Sequence, residues 1–546
     1  MNNAVVNFER PVNERTLNYA PGCRERQGLN AELDRMSTEI LDIPLIIGGQ
    51  EIRTGQTGTV TMPHDHQHVI ARYHLAGEKE VKLAIAAALK ARREWENVSW
   101  VERISVTLKA AELLAQKYRF VINAATMLGQ GKNVYQAEID AACESIDFLR
   151  FNASFVSRIY QEQPLSSPGI INRIEYRPLE GFVFTVTPFN FTAIASNLNM
   201  APVVMGNTTV WKPASTSVLS NYMLMQIFRE SGFPDGVINF VPGSGSLIGK
   251  ITLGHRDMTG IHFTGSTGTF NGIWRTIAEN MKGYRSYPRI VGETGGKDFI
   301  FVHPSADAQE VAVAIVRGAF EYQGQKCSAA SRAYIPTSLW PGIKERIGDM
   351  LSQVTVGDVR EFSHFMNAVI DEASFDNIMD YIGYSKNSPE AEVIFGGTGD
   401  KTTGYFIRPT VILTTNPHFR SMEEEIFGPV MTIFVYPDRD FEETLHLCDQ
   451  TSPYGLTGSV FSRDRTALNT ACRVLRYAAG NIYFNDKPTG AVVGQQPFGG
   501  ARGSGTNDKS GSYINLLRWT NPRTIKETLI PSTEFTYPYM KEDRCY

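Results

Sequence analysis

The chain has 546 residues, of which 42% are hydrophobic and 20% are charged, and its formal net charge is −4. That length is too great for one hydrophobic core and predicts two to four domains, so a multidomain enzyme is the default class. The near-neutral charge indicates no nucleic-acid partner, and no run approaches the apolar length that would indicate a membrane partner.

The cysteines and the first residues bear on the compartment. Six cysteines, at positions 23, 143, 327, 448, 472 and 545, are spread without CxxC spacing. This pattern argues against a disulfide scaffold and fits a reducing compartment. The opening MNNAVVNFERPVNERTL lacks both a signal-peptide core and an Arg/Ser-rich transit character. A cytoplasmic location is predicted, with a processed mitochondrial form as the alternative.

The chain begins with a polar, irregular stretch of roughly fifty residues, which predicts an N-terminal arm, and HDHQHVIARYHL then predicts a strand near a surface. Amphipathic spacing predicts three long helices at 78–95, 101–118 and 136–158. From GFVFTVTPF onward, short β-rich runs alternate with helical stretches. A second series runs from KDFIFV through VTVGD, EVIFGG and VMTIFVYP to GNIYFND. The fold class is therefore α/β with parallel sheets.

Between the helices and the first series lies PGIINRIEYRPLEG, a strand-like segment with alternating Arg and Glu. Such a strand fits a core poorly, so we predict an exposed hairpin. Together with the tail from about Tyr513, this segment is expected to make subunit contacts in a homo-oligomer.

Three separate residues have the chemistry of a catalytic site. Cys327 lies between Lys326 and Ser328 just before a predicted strand, where a nearby cation or backbone dipole could hold a thiolate, although a small buried residue is the alternative. Glu293 precedes a Gly pair at a strand end and could act as a general base or lie in a surface turn. Asn190 follows a strand end and could donate its amide to an oxyanion or cap a helix.

Three further patterns do not complete the site that they suggest. LGQGKN at 128–133 has Thr126 and Asn133 where a phosphate-binding P-loop needs Gly and Ser or Thr. GSGSLIG at 243–249 has one residue too many for the dinucleotide fingerprint. His64, His66 and His68 alternate along one strand, yet no Cys or carboxylate cluster completes a ligand set, so no metal is expected.

Seven motifs in order resemble those of the aldehyde dehydrogenase superfamily: PFNF, WKPAS, FTGS, ETGGK, GQKCSA, EEIFGPV and PFGGARGSG. The resemblance covers nearly the whole chain. It implies that the Cys327 thiolate attacks an aldehyde and that the Asn190 side chain and the Cys327 N–H hold the oxyanion. Hydride then passes to a nicotinamide, and Glu293 activates the water that hydrolyses the thioester.

The resemblance also implies an aldehyde dehydrogenase fold with a Rossmann-like domain for NAD. The expected domains are NAD-binding (1–159 and 181–290, with the arm), catalytic (291–512) and oligomerisation (160–180 and 513–546). The implied cofactor-binding residues are Thr187, Pro188, Lys212, Ser215, Gly265, Ser266, Glu425 and Phe427.

Within that cofactor set, Ser266 is expected near the pyrophosphate, Lys212 and Glu425 at the ribose hydroxyls, and Phe427 behind the nicotinamide. Ser215 stands where many members have Glu, which leaves NADP open. NAD is preferred because no Arg is placed to meet a 2′-phosphate.

Within the superfamily, the sequences of segments 487–511 and 129–153 and of the nucleophile segment resemble those of the glutamate γ-semialdehyde dehydrogenases. That small-molecule substrate carries an ammonium and a carboxylate that the pocket must satisfy. By resemblance, Ser328 with the backbone of Gly490 and Ala491 binds these charges. The resemblance further implies that Phe191 and Phe498 clamp the aliphatic stem, and that Glu144 and Lys326 line the pocket.

Three alternatives stand beside this interpretation. The chain could be an aldehyde dehydrogenase for another aldehyde, such as succinate semialdehyde. It could be a catalytically silent scaffold with the same fold. It could also be a cysteine hydrolase, which would need a His partner for Cys327.

Overall fold

The structure, a computed structural model, describes residues 6 and 8–540. Up to residue 161 the elements are α1 (Arg24–Thr38), β1 (Leu41–Ile43), β2 (Leu45–Ile47), β3 (Gln50–Ile52), β4 (Thr57–Met62), β5 (Asp65–His74), α2 (Glu78–Trp95), α3 (Trp100–Gln116), α4 (Arg119–Gln130), α5 (Val134–Ala137), a π-helical turn (Glu138–Glu144) and α6 (Ser145–Gln161).

The middle of the chain forms β6 (Ile170–Arg177), β7 (Phe182–Val186), α7 (Thr192–Val204), β8 (Thr208–Lys212), α8 (Val218–Ser231), β9 (Ile238–Phe240), α9 (Gly245–Leu253), β10 (Met258–Thr264), α10 (Thr267–Glu279) and β11 (Arg289–Glu293).

The remaining elements are β12 (Asp298–Val302), α11 (Ala308–Phe320), β13 (Ala330–Pro336), α12 (Trp340–Gln353), α13 (Glu372–Lys386), β14 (Ala391–Phe395), β15 (Gly399–Asp400), β16 (Phe406–Ile407), β17 (Thr410–Thr414), α14 (Arg420–Glu423), β18 (Val430–Tyr436), α15 (Phe441–Gln450), β19 (Tyr454–Gly455), β20 (Thr457–Phe461), α16 (Arg465–Val474), β21 (Asn481–Phe484), β22 (Ala501–Arg502), α17 (Tyr513–Leu517) and β23 (Asn521–Thr528).

Two seven-stranded sheets organise the molecule. The first has the order β11-β10-β7-β8-β9-β2-β3 and the second β14-β17-β18-β13-β12-β20-β21. The first is parallel from β11 to β9, and the second from β17 to β21. Their central strands are buried throughout because helices cover both faces. The predicted α/β class is confirmed, while the antiparallel edge strands β2, β3 and β14 were not expected.

The helices correct the sequence prediction in three places. Helices α2 and α3 match the first two predicted helices, whereas the third begins only at Ser145, after the π-helical turn. Helix α4 was not predicted, although Arg119, Asn123, Thr126 and Gln130 form a polar stripe at helical spacing; ten of its twelve residues, including these four, are buried. Helix α1 lies inside the stretch that was predicted to be an irregular arm. It was not predicted because its apolar stripe is narrow and consists of Leu29, Leu33 and Met36. VTVGD is not a strand, and only Val356 forms a bridge there.

The predicted hairpin is instead one strand of a two-stranded ribbon. Strand β6 pairs antiparallel with β23, which lies about 350 residues later in the chain. The alternating charges that made a core strand improbable are paired across this ribbon, where Arg173 bonds Glu527 at 2.8 Å and Arg523 bonds Glu175 at 2.6 Å. Residues 541–546 of the predicted tail, including Cys545, lie outside the described residues.

The three alternating histidines have separate partners. His64 lies in the turn before β5 with Nε2 at 3.2 Å from Asp358 Oδ1, while His66 and His68 bond the carbonyls of Lys401 and Ser37. Within residues 8–540 no group of three or more His, Cys, Asp or Glu side chains is arranged to hold a metal. None of the helices described is long and apolar enough to cross a membrane.

Candidate active site

Two cavities meet at Cys327, which lines both of them. The smaller, of about 310 Å³, is called the substrate cavity here, and the larger, of about 1070 Å³, the cofactor cavity. The substrate cavity contains the predicted residues Glu144, Phe191, Glu293, Lys326, Ser328, Gly490, Ala491 and Phe498. The cofactor cavity contains Thr187, Pro188, Asn190, Lys212, Gly265, Ser266, Glu425 and Phe427.

Cys327 lies in the loop between α11 and β13, and that loop is fixed from its buried side. Tyr322 and Gln323 both adopt left-handed backbone conformations, with φ of 52° and 54°. The Gln323 side chain donates to the carbonyls of Gly131 and Ala368, at 2.9 and 2.8 Å. Strained backbone held by buried hydrogen bonds is typical of a functional loop.

The charged groups that act on the Cys327 thiol are carboxyls, not the cation that the sequence analysis expected. Burial raises the pKa of the Cys327 thiol well above its usual value, and the carboxyls of Glu293, Asp298 and Glu425 raise it further. Lys326 lines the substrate cavity and forms a salt bridge with Glu321. Burial and these carboxyls therefore disfavour the thiolate, and attack by Cys327 requires that the thiol first lose its proton.

Glu293 ends strand β11 and faces the substrate cavity. Burial raises the pKa of its carboxyl to about 8, although Lys509 acts in the opposite direction. The backbone around it is held by segment 503–506, where Thr294 N donates to Ser504 O at 3.0 Å. A positioned carboxyl that titrates near neutral pH has the properties of a general base, not of a surface turn.

The Gly pair after Glu293 allows protein groups, not only a ligand, to approach closely. A Cβ on Gly295 would lie 2.3 Å from Glu425 Oε2, and one on Gly296 would lie 2.2 Å from the carbonyl oxygen of Cys327. The Gly296 N–H donates to Glu425 Oε1 at 2.9 Å. The glycines thus bring the base, the nucleophile and Glu425 into one compact arrangement.

Asn190 follows β7 and is 3% exposed. Its side-chain amide donates to the carbonyl of Gln325 at 3.1 Å, two residues before the nucleophile. Helix α7 begins after Phe191 without a side-chain cap from Asn190, and its first N–H groups donate instead to Asp140. The amide is therefore oriented toward the nucleophile loop, as an oxyanion donor needs, and is not used as a helix cap.

The cofactor cavity opens at the carboxyl ends of the first sheet. Ser266 caps α10, and the first residues of α9, Gly245 and Ser246, line the same cavity. Lys212 ends β8 there, and its pKa is lowered by burial alone. Two helix N-termini suit a pyrophosphate, and a cation opposite the Glu425 carboxyl suits ribose hydroxyls, so these residues fit a nicotinamide dinucleotide.

Two sequence interpretations of this cavity need adjustment. The GSGSLIG segment lines it through Gly245, Ser246 and Gly249, although its spacing departs from the fingerprint. Ser215 is exposed at the start of a short 3₁₀ turn, and its neighbour Ala214 lines the cavity instead. Phe427 has a left-handed φ of 58° and packs edge-on against Phe189, with 5.7 Å between ring centroids.

The substrate cavity carries polar groups beyond the predicted ones. Ser328 Oγ lies 2.8 Å from Thr489 Oγ1. Lys326 Nζ lies 3.3 Å from Glu321, whose other oxygen accepts from Arg317 at 2.9 Å. The sequence analysis did not single out Arg317, Glu321, Lys487 or Thr489; Lys487 and Thr489 lie in segment 487–511, but the resemblance gave no role to their side chains.

Two acid–base groups in this cavity are shifted by burial. The pKa of the Lys326 ammonium falls to about 8, while the Glu321 carboxylate opposes that fall. The pKa of the Glu144 carboxyl, which lies at the end of the π-helical turn, is raised well above its usual range by burial and by Asp140. The cavity therefore holds a cation whose pKa is lowered and a carboxyl whose pKa is raised, both chiefly by burial.

Comparison with known proteins gives a consistent result. Residues 52–525 match the model of the aldehyde dehydrogenase family. The chain is 54% identical over 540 residues to "Delta-1-pyrroline-5-carboxylate dehydrogenase, mitochondrial" of Dictyostelium discoideum, covering 98% of this chain and 97% of the relative. It is 46% identical to the human protein of the same name, covering 97% and 94%.

A solved structure agrees with these relatives. The Delta-pyrroline-5-carboxylate dehydrogenase of Mycobacterium tuberculosis bound with NAD superposes with a TM-score of 0.95 at 47% identity, over 99% of this chain and all of that chain. The predicted fold is confirmed.

The predicted cytoplasmic location is wrong. Both curated relatives named above are mitochondrial by name.

Proposed function

The chain belongs to the aldehyde dehydrogenase family, and we propose that it oxidises L-glutamate γ-semialdehyde to L-glutamate with NAD. The semialdehyde is in equilibrium with Δ1-pyrroline-5-carboxylate, and this oxidation is the second step of proline catabolism. The observation that carries the proposal is the meeting of two cavities at Cys327, one suited to a dinucleotide and one lined by polar and charged side chains. The names of the relatives support the substrate.

The chemistry begins with the Cys327 thiol. Its sulfur attacks the aldehyde carbon as the thiolate, after the thiol has lost its proton to solvent water, so that the Glu293 carboxylate in the same cavity is still free to act as a base. The oxyanion that forms accepts hydrogen bonds from the Asn190 amide and the Cys327 N–H. Bound NAD supplies the hydride acceptor. Glu293 then takes a proton from the water that hydrolyses the Cys327 thioester, which releases the acid and frees the sulfur.

The protein holds the cofactor and the substrate from opposite sides of the nucleophile. Lys212, Ser266, Glu425 and Phe427 would hold the dinucleotide. Ser328 and the N–H groups of Gly490 and Ala491 would hold the α-carboxylate, with the Lys326 ammonium adding positive charge. Phe191 and Phe498 would enclose the aliphatic stem. A site that bonds the substrate carboxylate discriminates strongly against aldehydes that lack one.

A substrate panel tests this function. NADH formation is followed with pyrroline-5-carboxylate, succinate semialdehyde, propanal and benzaldehyde, each with NAD and then with NADP. We expect the highest kcat/KM for pyrroline-5-carboxylate with NAD. A preference for another aldehyde would keep the roles of Cys327 and Glu293 but remove those of Ser328, Gly490 and Ala491.

We also propose that the chain forms a homodimer or a larger homo-oligomer through the β6–β23 ribbon and the tail that follows it. Ile171, Leu529 and Ile530 expose 43%, 57% and 84% of their surface there, and such a patch favours a protein contact. Light scattering of the wild type and of Ile530→Asp tests this. A wild-type mass equal to one chain would contradict it.

A further inference from the structure

The N-terminal arm before α1 runs along the substrate cavity. Asn13, Glu14 and Thr16 contribute to its lining, beside the residues that would meet the charged end of the substrate. The arm lies outside residues 52–525, which match the family model. The residues for nucleophilic attack and hydrolysis all lie within that range, so the arm adds something to the cavity other than the common chemistry.

The arm is bonded to the loop that follows Gly490 and Ala491. Asn13 Nδ2 donates to the carbonyl of Val493 at 2.8 Å, and Gln495 Nε2 donates back to Asn13 Oδ1 at 2.8 Å. Arg10 donates to the carbonyl of Gly494 at 3.0 Å. Both polar atoms of the Asn13 side chain are therefore used to hold this loop.

The arm is fixed on its other side to helix α6. Asn13 Nδ2 also donates to Asp147 Oδ2 at 2.8 Å, and the Glu14 N–H donates to Asp147 Oδ1 at 2.7 Å. The Glu14 side chain pairs with Arg119 and Arg150, at 2.7 and 2.6 Å. Asn13 thus connects the loop to a fixed, mostly buried carboxylate on a long helix.

The loop also packs against helix α6. A Cβ on Gly494 would lie 2.1 Å from the ring of Phe151 on α6, so the chain passes very near that helix. Val493 is buried in the hydrophobic cluster that contains Phe151. Within the loop, hydrogen bonds run from the N–H groups of Gln495 and Gln496 to the carbonyl of Val492. These contacts form the turn and hold it to the helix, and the bonds to Asn13 hold it to the arm.

We propose that Asn13 is a positioning residue that holds segment 490–496 in place, so that the arm makes the site specific for an aldehyde with an α-amino acid end. This inference rests on the proposed function, because the backbone of Gly490 and Ala491 matters only for a substrate with such an end. A donor pair held in its binding geometry before the substrate arrives loses less entropy on binding.

The test compares Asn13→Ala with Asn18→Ala, a matched control in the same arm whose side chain bonds only its neighbour Ala20. Steady-state rates are measured with pyrroline-5-carboxylate and with propanal. For Asn13→Ala we expect KM for pyrroline-5-carboxylate to rise about tenfold, the effect of losing roughly 1.4 kcal/mol of binding. We expect kcat, KM for NAD and the propanal reaction to stay within about twofold of wild type. The control should match wild type in all of them.

A second readout separates this inference from the proposed function. Amide hydrogen exchange of 490–496 should be faster in Asn13→Ala, while exchange of the nucleophile loop 322–330 should not change. If the wild type does not prefer pyrroline-5-carboxylate, the proposed function fails, and the exchange result still tests the arm. Unchanged KM with unchanged exchange, or an equal loss with both aldehydes, would overturn the positioning role. If Asn13→Ala does not fold, Gln495→Ala removes one of the same bonds and is tested in the same way.

Discussion

Lys132 and Asp140 form a wholly buried ion pair, with 2.6 Å between Nζ and Oδ2. Asp140 also accepts hydrogen bonds from the first N–H groups of α7, those of Thr192 and Ala193, at 3.0 and 2.9 Å. The Lys132 ammonium lies 4.0 Å from the centre of the Phe191 ring. The pair therefore sets the turn that carries the oxyanion donor and the aromatic wall of the substrate cavity.

Asp140→Asn is expected to destabilise the protein by about 3 kcal/mol or more, because it leaves the Lys132 charge buried without its partner. It should also lower kcat, since the turn before α7 loses its anionic cap. Thermal unfolding and steady-state rates measure both effects. Asp376→Asn is the control, because it removes an exposed carboxylate at 2.7 Å from Lys401 and should cost less than about 1 kcal/mol. Equal losses in the two variants would contradict the role of the buried pair.

Cys327→Ala is expected to abolish aldehyde oxidation while NAD still binds, because the sulfur forms the bond to substrate and the cofactor cavity keeps its other residues. Turnover is followed by NADH absorbance and NAD binding by calorimetry. Cys472→Ser, at an exposed free cysteine, serves as the control and should behave as wild type. Retained turnover in Cys327→Ala would exclude it as the nucleophile.

The pH dependence of hydrolysis should follow Glu293. Burial raises the pKa of this carboxyl to about 8, and only its ionised form can accept a proton. The rate of thioester hydrolysis should therefore rise as pH increases and level off above about 8. In Glu293→Gln this rise should be absent and turnover slow, while a pre-steady-state burst of NADH persists. A burst as slow as turnover would count against a base role in hydrolysis.

Substrate binding should weaken at high pH because of Lys326. The pKa of its ammonium is lowered to about 8 by burial, and Glu321 opposes this shift. The cation attracts the substrate carboxylate only while protonated, so KM should rise as pH increases through about 8. In Glu321→Gln the pKa of the Lys326 ammonium should fall further, so the rise in KM should begin at lower pH. Glu310→Gln, in the first turn of the helix α11 that Glu321 follows, removes an exposed partner of Arg463 and should leave the profile unchanged. A profile that is the same in Glu321→Gln and wild type would refute this account.

The sequence predicted those site residues that lie at strand ends or in loops and that belong to distinctive short motifs. Cys327, Glu293 and Asn190 belong to short motifs in a fixed order, and the sheets bring those motifs to one place because parallel strands end at a common edge. Lys212 and Ser266 were implied only by the family resemblance, and the structure places both in the cofactor cavity. Local signals were sufficient for the fold class, whereas most of the cavity lining came from the resemblance.

The sequence did not predict residues whose importance depends on a distant partner. Asn13 acts on a loop 480 residues away, and Asp140 caps a helix 52 residues later. Glu321 is defined by Lys326 and Arg317 in the folded chain, not by a motif. The polar stripe of helix α4 likewise has its role only in the fold, where Arg119 and Asn123 bond the buried Glu138.

The most direct test of the central claim is to capture the acyl enzyme. Glu293→Gln is mixed with pyrroline-5-carboxylate and NAD, quenched in acid during turnover, digested and examined by mass spectrometry. The account predicts a glutamyl adduct on the peptide that contains Cys327, and its loss on incubation with hydroxylamine. An unmodified Cys327 peptide while NADH is being formed, or an adduct at another residue, would contradict it.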